Sequence, residues 1–228
     1  MKFTILTLFP DFFPGPLDFS LSGKSYNKLW ELELVNLRDY ATAPHHRVDD
    51  KPCGGGSGMV MKADVLGNAI DHTLSKGHYD RLIYPSPRGK IFKQHHAQDL
   101  IQSKNILFLC GRYEGVDQRI IDYYQFEEYS IGDYVLSGGE IAATVMIDSI
   151  LRHLPGNIKN NHVHHDESFH QILGIENILE YPHYTRPLNW KNMQVPEILI
   201  SGDHKKVDEY KRNQALEYTK KNRPDLLE

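Results

Sequence analysis

Short apolar runs alternating with longer amphipathic stretches set the strongest constraint on how this chain can fold. Phe3 to Leu8, Leu32 to Val35, Arg81 to Tyr84 and Ile106 to Cys110 read as strands. Each is a compact apolar segment of the kind that fits a buried, pleated surface. Helical spacing covers about Ser20 to Leu29, then Ala63 to Leu74, Lys93 to Gln102 and Val116 to Tyr124. Ile141 to Leu154 is the clearest helix, with Val145, Ile147, Ile150, Leu151 and Leu154 on one broad apolar face. Phe126 to Ile131 reads as extended. Strands alternating with helices predict an α/β fold with a mostly parallel sheet, both faces covered.

The pattern stops at Pro155-Gly156. From Asn157 to His170 only Ile158, Val163 and Phe169 are apolar, and they have no period. Apolar spacing resumes from Ile172 to Glu180, and Asp203 to Lys221 reads as a helix. The expected division is therefore an α/β domain at 1–156, a linker at 157–171, and a small helical C-terminal domain at 172–228. The last piece is near the lower size limit for folding alone.

Composition narrows the class. With 26 Lys and Arg against 30 Asp and Glu, the net charge is −4. That gives no global sign of a nucleic-acid partner and by itself favours an enzyme acting on a small molecule. Hydrophobic residues at 40% argue against a disordered chain. Two cysteines, Cys53 and Cys110, are too few for a disulfide scaffold and point to a reducing, cytoplasmic setting. The apolar start is interrupted by Pro10 and Asp11, too early to span a membrane, and no other stretch reaches that length.

Glycine-containing stretches fall at the ends of strands or just before helices. They are Gly54 to Gly58, Pro85 to Gly89, Gly111 to Gly115 and Ile131 to Glu140. In open α/β sheets ligands bind outside the carboxyl ends of the strands, where glycine lets the backbone approach a ligand. No dinucleotide fingerprint or P-loop is present, so the expected ligand is one held mainly by backbone groups. Of the 13 histidines, His162, His164 and His165 beside Asp166 have the right donor types for zinc. They lack the spacing of a metal motif, and no metal ligand is assigned. Lys205, Lys206, Lys211, Arg212, Lys220, Lys221 and Arg223, with Arg186, Tyr181, Tyr184 and Trp190, suit phosphates and a stacked base.

The segments Leu8-Phe9-Pro10, Val48 to Pro52 with Gly54 to Gly56 and Gly58-Met59, Cys110 to Gly115, Ser130 to Glu140 and Tyr181 to Pro187 together resemble one family. In this order they are similar to the bacterial tRNA (guanine-N1)-methyltransferases, which modify the guanosine immediately 3′ of the anticodon, at position 37. The resemblance covers nearly the whole chain. It implies a SPOUT-type fold with a deep trefoil knot, a homodimer with its active site at the subunit interface, and S-adenosylmethionine as cofactor. By position, the cofactor contacts fall on Tyr84, Pro85, Gly111, Tyr113, Glu114, Ile131, Gly132, Asp133, Tyr134, Val135, Leu136, Gly138 and Gly139. Contacts to tRNA fall on Asp50, Gly55, Ser168, Arg186 and Lys205, and magnesium enters as an assisting ion without an assigned site.

The resemblance also assigns the chemistry. Guanine N1 must leave its stack, meet the methyl carbon in line and lose its proton. Arg152 matches an arginine that stabilises the guanine. The family's general base is an Asp directly before Ser-Phe, whereas here Asp166-Glu167-Ser168-Phe169 puts Glu167 in that place. Asp166 is chemically closer and Glu167 matches by count, so both stand as candidates. Two other classes remain: an RNA-binding module without catalysis, and a metal hydrolase built on the histidine run.

Overall fold

The computed structural model describes residues 1–42, 46–157 and 167–227. It divides into two units, Met1–Ile158 and Lys159–Glu228. In chain order the first unit runs β1 (Lys2–Thr7), α1 (Ser20–Ser25), β2 (Glu31–Asn36), β3 (Asp49–Asp50) and β4 (Val60–Met61). It continues through α2 (Ala63–Ser75), β5 (Arg81–Ile91), α3 (Gln94–Leu100), β6 (Asn105–Leu109), α4 (Gln118–Tyr124), β7 (Glu127–Ser130) and α5 (Gly139–Arg152). Five of these strands form one parallel sheet in the order β2-β1-β6-β5-β7. The α/β expectation holds.

Side-chain alternation divides the core into two layers. Phe3, Ile5, Ile83, Ile106 and Phe108 pack on one face against Ala97 and Leu100 of α3 and Ala143, Met146, Ile147 and Ile150 of α5. Leu6, Leu107 and Leu109 pack on the other against Val65, Leu66, Ala69 and Ile70 of α2 and Ile120 and Ile121 of α4. Successive strand residues point to opposite faces, so apolar runs without alternation must be buried on both sides.

Local differences from the sequence reading have local causes. The helix expected at about Ser20 to Leu29 ends at Ser25, because Asn27 takes a left-handed conformation with φ 55° and its N–H donates to the Trp30 carbonyl at 2.8 Å. The turn expected at Pro85 to Gly89 is a bulge inside one long strand. Pro85 pairs with Tyr129, and so does Lys90, after which Ile91 pairs with Ser130. Cross-strand pairing on both sides of the bulge overrides the local turn preference of its Pro and Gly residues. The Gly54 to Gly58 stretch joins β3 to β4, an antiparallel pair too short for periodicity to reveal. Asp117 caps α4, its carboxylate accepting the Arg119 N–H at 3.0 Å.

The second unit holds β8 (His170–Ile172), β9 (Ile175–Ile178), β10 (Asn189–Trp190), β11 (Met193–Gln194) and α6 (His204–Asn222). The apolar stretch from Ile172 is a hairpin, turned by Leu173 and Gly174 with φ 46° and 85°. Ile172, Ile178 and Ala215 form its small buried core. The buried Thr219 hydroxyl of α6 accepts the Leu179 N–H at 2.9 Å, tying the helix to the hairpin. Asp203 caps α6 by accepting the Lys206 N–H at 3.3 Å. Among the described residues no helix is long and apolar enough to cross a membrane.

Candidate active site

The loops that follow β6 and β7, with the bulged part of β5, enclose a cavity of about 390 Å3 at one edge of the sheet. That size lies within the usual range for a small-molecule site, about 300–1,000 Å3. Tyr84, Pro85, Gly111, Tyr113, Glu114, Ile131, Gly132, Tyr134, Val135, Leu136, Gly138 and Gly139 all line it. Asp133 sits exposed on the same loop but is not among the lining residues. Arg88 falls in the glycine-containing stretch Pro85 to Gly89, whereas sequence patterns gave no reason to expect Gln118, Tyr129 or Ala142 here. Each reaches the cavity only because the parallel sheet brings its element alongside.

Glycine is required where the walls meet. Gly132 has φ 148°, and a β-carbon there would collide with the Tyr134 ring. Gly139 starts α5 hard against β6: its N–H donates to the Gly111 carbonyl at 2.9 Å, and a β-carbon would stand 2.9 Å from the Cys110 Cα. Backbone groups therefore form much of the wall. Tyr84 lies beneath the Gly111 to Gly115 loop, its hydroxyl group close to both end glycines, and burial raises its ionisation above the usual tyrosine range. Val135 is 85% exposed and Tyr134 55%, so this loop presents apolar surface beside the cavity.

A second loop is fastened to the first. The Glu114 N–H donates to the Met59 carbonyl at 2.9 Å, and the Met61 N–H to the Gly115 carbonyl at 2.9 Å. These bonds hold the Gly54 to Gly58 stretch beside the cavity wall, with Gly55 exposed on it and Asp50 exposed at the end of β3 just before it.

Charge is organised around Arg112. Its guanidinium lies 3.0 Å from the carboxylate of Glu140, which is 1% exposed, and it covers the Phe9 ring at 4.3 Å. Burial, with Glu140 nearby, pushes the Cys110 thiol well above its ordinary ionisation range, so this cysteine stays a neutral packing group. On the opposite wall Arg88 bonds Gln118 at 3.0 Å and faces Glu128 at 3.6 Å.

The remaining candidates are not among the residues that line the cavity. Arg152 is the last residue of α5, whose first residues, Gly139 and Ala142, line the cavity. At about 1.5 Å rise per residue this puts Arg152 roughly 15–20 Å along the helix from those residues. In the second unit, Ser168 accepts the Glu180 N–H at 2.9 Å and Glu167 is half-buried, while Arg186 and Lys205 are exposed. Asp166 and the histidine run from His162 to His165 lie outside the described residues. Among the described residues no group of three or more His, Cys, Asp or Glu side chains converges as a metal site.

A sequence model of the family described as tRNA (guanine-1)-methyltransferase TrmD matches residues 1–228. Curated relatives agree along the whole length. A tRNA (guanine-N(1)-)-methyltransferase of Ehrlichia canis is 48% identical over 100% of this chain and 96% of its own. One from Wolbachia pipientis subsp. Culex pipiens is 51% identical, covering 98% of this chain and 96% of its own. A Rickettsia rickettsii protein of the same name is 45% identical over the same shares.

Proposed function

Because the chain belongs to the tRNA (guanine-1)-methyltransferase family, we propose that it transfers a methyl group from S-adenosylmethionine to N1 of the guanine at tRNA position 37. The observation that carries this reading is the cavity, rich in backbone and apolar groups, beside the bulge of β5 and the ends of β6 and β7. Its size and its glycine-rich walls fit a nucleoside-containing cofactor held by peptide groups. S-adenosylmethionine supplies an electrophilic methyl on a sulfonium sulfur; transfer to guanine N1 leaves S-adenosylhomocysteine and releases the N1 proton.

This chain's residues then have three tasks. Tyr84, Pro85, Gly111, Tyr113, Glu114, Ile131 to Leu136, Gly138 and Gly139 hold the cofactor and aim the methyl group. Arg152 stabilises the negative charge that develops on guanine as N1 is deprotonated. Asp166 or Glu167 takes the proton. Asp50, Gly55, Ser168, Arg186 and Lys205 hold the RNA while the target base is turned out of its stack. Magnesium, where bound, would supply positive charge to offset the charge developing on the guanine, and no residue of this chain is assigned to hold it.

The same reading includes a trefoil knot and a homodimer. The return of the chain after β7 to lay Gly139 against Cys110 and Gly111 supports the knot. The length of α5 supports the dimer, since a helix that opens at the cavity cannot carry Arg152 back to it. A second copy can supply that arginine, and the half-exposed Ile141 and Val145 give α5 an apolar face for it. With two free cysteines and a tRNA substrate, the reading puts the enzyme in the cytoplasm.

The test is a methyl-transfer assay on the purified chain with labelled S-adenosylmethionine and a tRNA transcript carrying guanosine 37. Label is expected in the RNA. RNA binding without transfer would replace the enzyme with a binding module.

A further inference from the structure

Arg112 of the cavity wall is paired with a buried carboxylate that the chemistry above leaves unused. Glu140, in the first turn of α5, is 1% exposed. The Thr7 hydroxyl, at the end of β1, donates to its Oε1 at 2.7 Å, and Arg112 Nη2 lies 3.0 Å from its Oε2. Thr7 also accepts the Phe9 N–H at 3.0 Å. Arg112 donates from Nη1 to the Ser137 carbonyl at 3.2 Å and lies across the Phe9 ring. A β-carbon on Gly138 would run into the Arg112 side chain, so the guanidinium packs directly against that backbone. One guanidinium thus touches the loop after β1, the loop after β7 and the start of α5, while its own backbone belongs to the loop after β6.

A buried ion pair is a poor device for stability alone, because desolvation offsets most of the attraction, and apolar side chains of similar volume often serve as well. What the pair does here is geometric. Arg112 has a planar fork that meets Glu140 and Ser137 together, an arrangement a lysine cannot reproduce. Both loops it joins line the cavity.

We infer that Glu140 and Thr7 are positioning residues: they lock Arg112 as a clamp between the Gly111–Gly115 and Ile131–Gly139 loops, and the clamp sets the affinity of the cavity for S-adenosylmethionine. The affinity half of this inference rests on the function proposed above; the clamp itself does not.

Amide hydrogen exchange on the cofactor-free chain tests the clamp, and calorimetric titration with S-adenosylmethionine tests its consequence. In Glu140→Gln and Thr7→Val, exchange at Glu114, Gly115 and Gly139 rises by roughly tenfold, the scale expected when one ion-pair contact or buried hydrogen bond is lost, while α2 keeps wild-type protection. Affinity for S-adenosylmethionine falls by a similar factor, and Thr7→Ser, which keeps the hydroxyl, restores both. Arg112→Lys behaves like Glu140→Gln. Unchanged loop exchange in Thr7→Val and Glu140→Gln, with loss of thermal stability alone, overturns the clamp. Faster loop exchange with unaltered affinity overturns its role in binding. Failure of the wild-type chain to bind S-adenosylmethionine at all would overturn the proposed function, and loop exchange would still decide the clamp.

Discussion

Gly139 packs its backbone directly onto Cys110, leaving 2.9 Å between the Cys110 Cα and the place a β-carbon on Gly139 would occupy. The first residue of the longest helix in the α/β unit is thereby sealed to the end of β6, and the cavity wall passes through that contact. Everything proposed about cofactor binding depends on this approach.

Gly139→Ala is therefore expected to be harmful despite its better helix propensity. Alanine gains about 1 kcal/mol as a helix residue. Overpacking against β6 costs about 1–3 kcal/mol and displaces the loop after β7. Urea denaturation is expected to show a net loss of stability, and titration a weaker affinity for S-adenosylmethionine. A variant as stable as wild type, with full affinity, would contradict the packing described.

Cofactor binding is expected to stabilise the first unit selectively. At a concentration 100 times its dissociation constant, S-adenosylmethionine adds about 2.7 kcal/mol by linkage. Hydrogen exchange is expected to slow at residues 111–116 and 130–139, where Tyr134 and Val135 are now exposed. Protection appearing instead on the α6 helix would place the ligand elsewhere.

Much of the fold was legible because the sheet interior imposes a strong pattern. Ile106 to Cys110 is apolar at every position, and Phe3 to Leu8 is broken only by the buried Thr4 and Thr7, because both strands are buried on both faces. The bulge in β5 was not legible, since Pro85, Pro87 and Gly89 carry the local signature of a turn and only pairing with Tyr129 and Ser130 overrides it. Glycine positions pointed to the cavity, whereas Gln118 and Ala142 reach it through tertiary packing alone. The bond from Thr7 to Glu140 spans 133 residues of sequence, and no periodicity encodes it. Net charge misled, because −4 averages over a chain whose basic residues gather locally on α6.

Asp166 and Glu167 are separated by single replacement with alanine. One of the two is expected to lower turnover by about 10²–10⁴-fold, the usual contribution of a general base, with S-adenosylmethionine affinity unchanged. The other is expected to stay near wild type. Small, equal losses at both positions would remove the proton-acceptor role from this segment.

Complementation tests whether the site is shared between copies. Arg152→Ala and Leu136→Lys are each expected to be inactive, the first lacking the arginine and the second the cavity. After denaturation and refolding together, two-fold mixed dimers carry one intact site, and about a quarter of wild-type activity is expected to return. No recovery from a demonstrably mixed dimer would mean that each chain supplies its own arginine.

The most direct measurement is nucleoside analysis of the reacted RNA. A transcript with guanosine 37 is incubated with the chain and S-adenosylmethionine, digested to nucleosides and resolved by mass spectrometry against methylguanosine standards. The account predicts 1-methylguanosine, approaching one per transcript, and none when position 37 is adenosine. A different methylguanosine, or 1-methylguanosine that persists without guanosine 37, would contradict it.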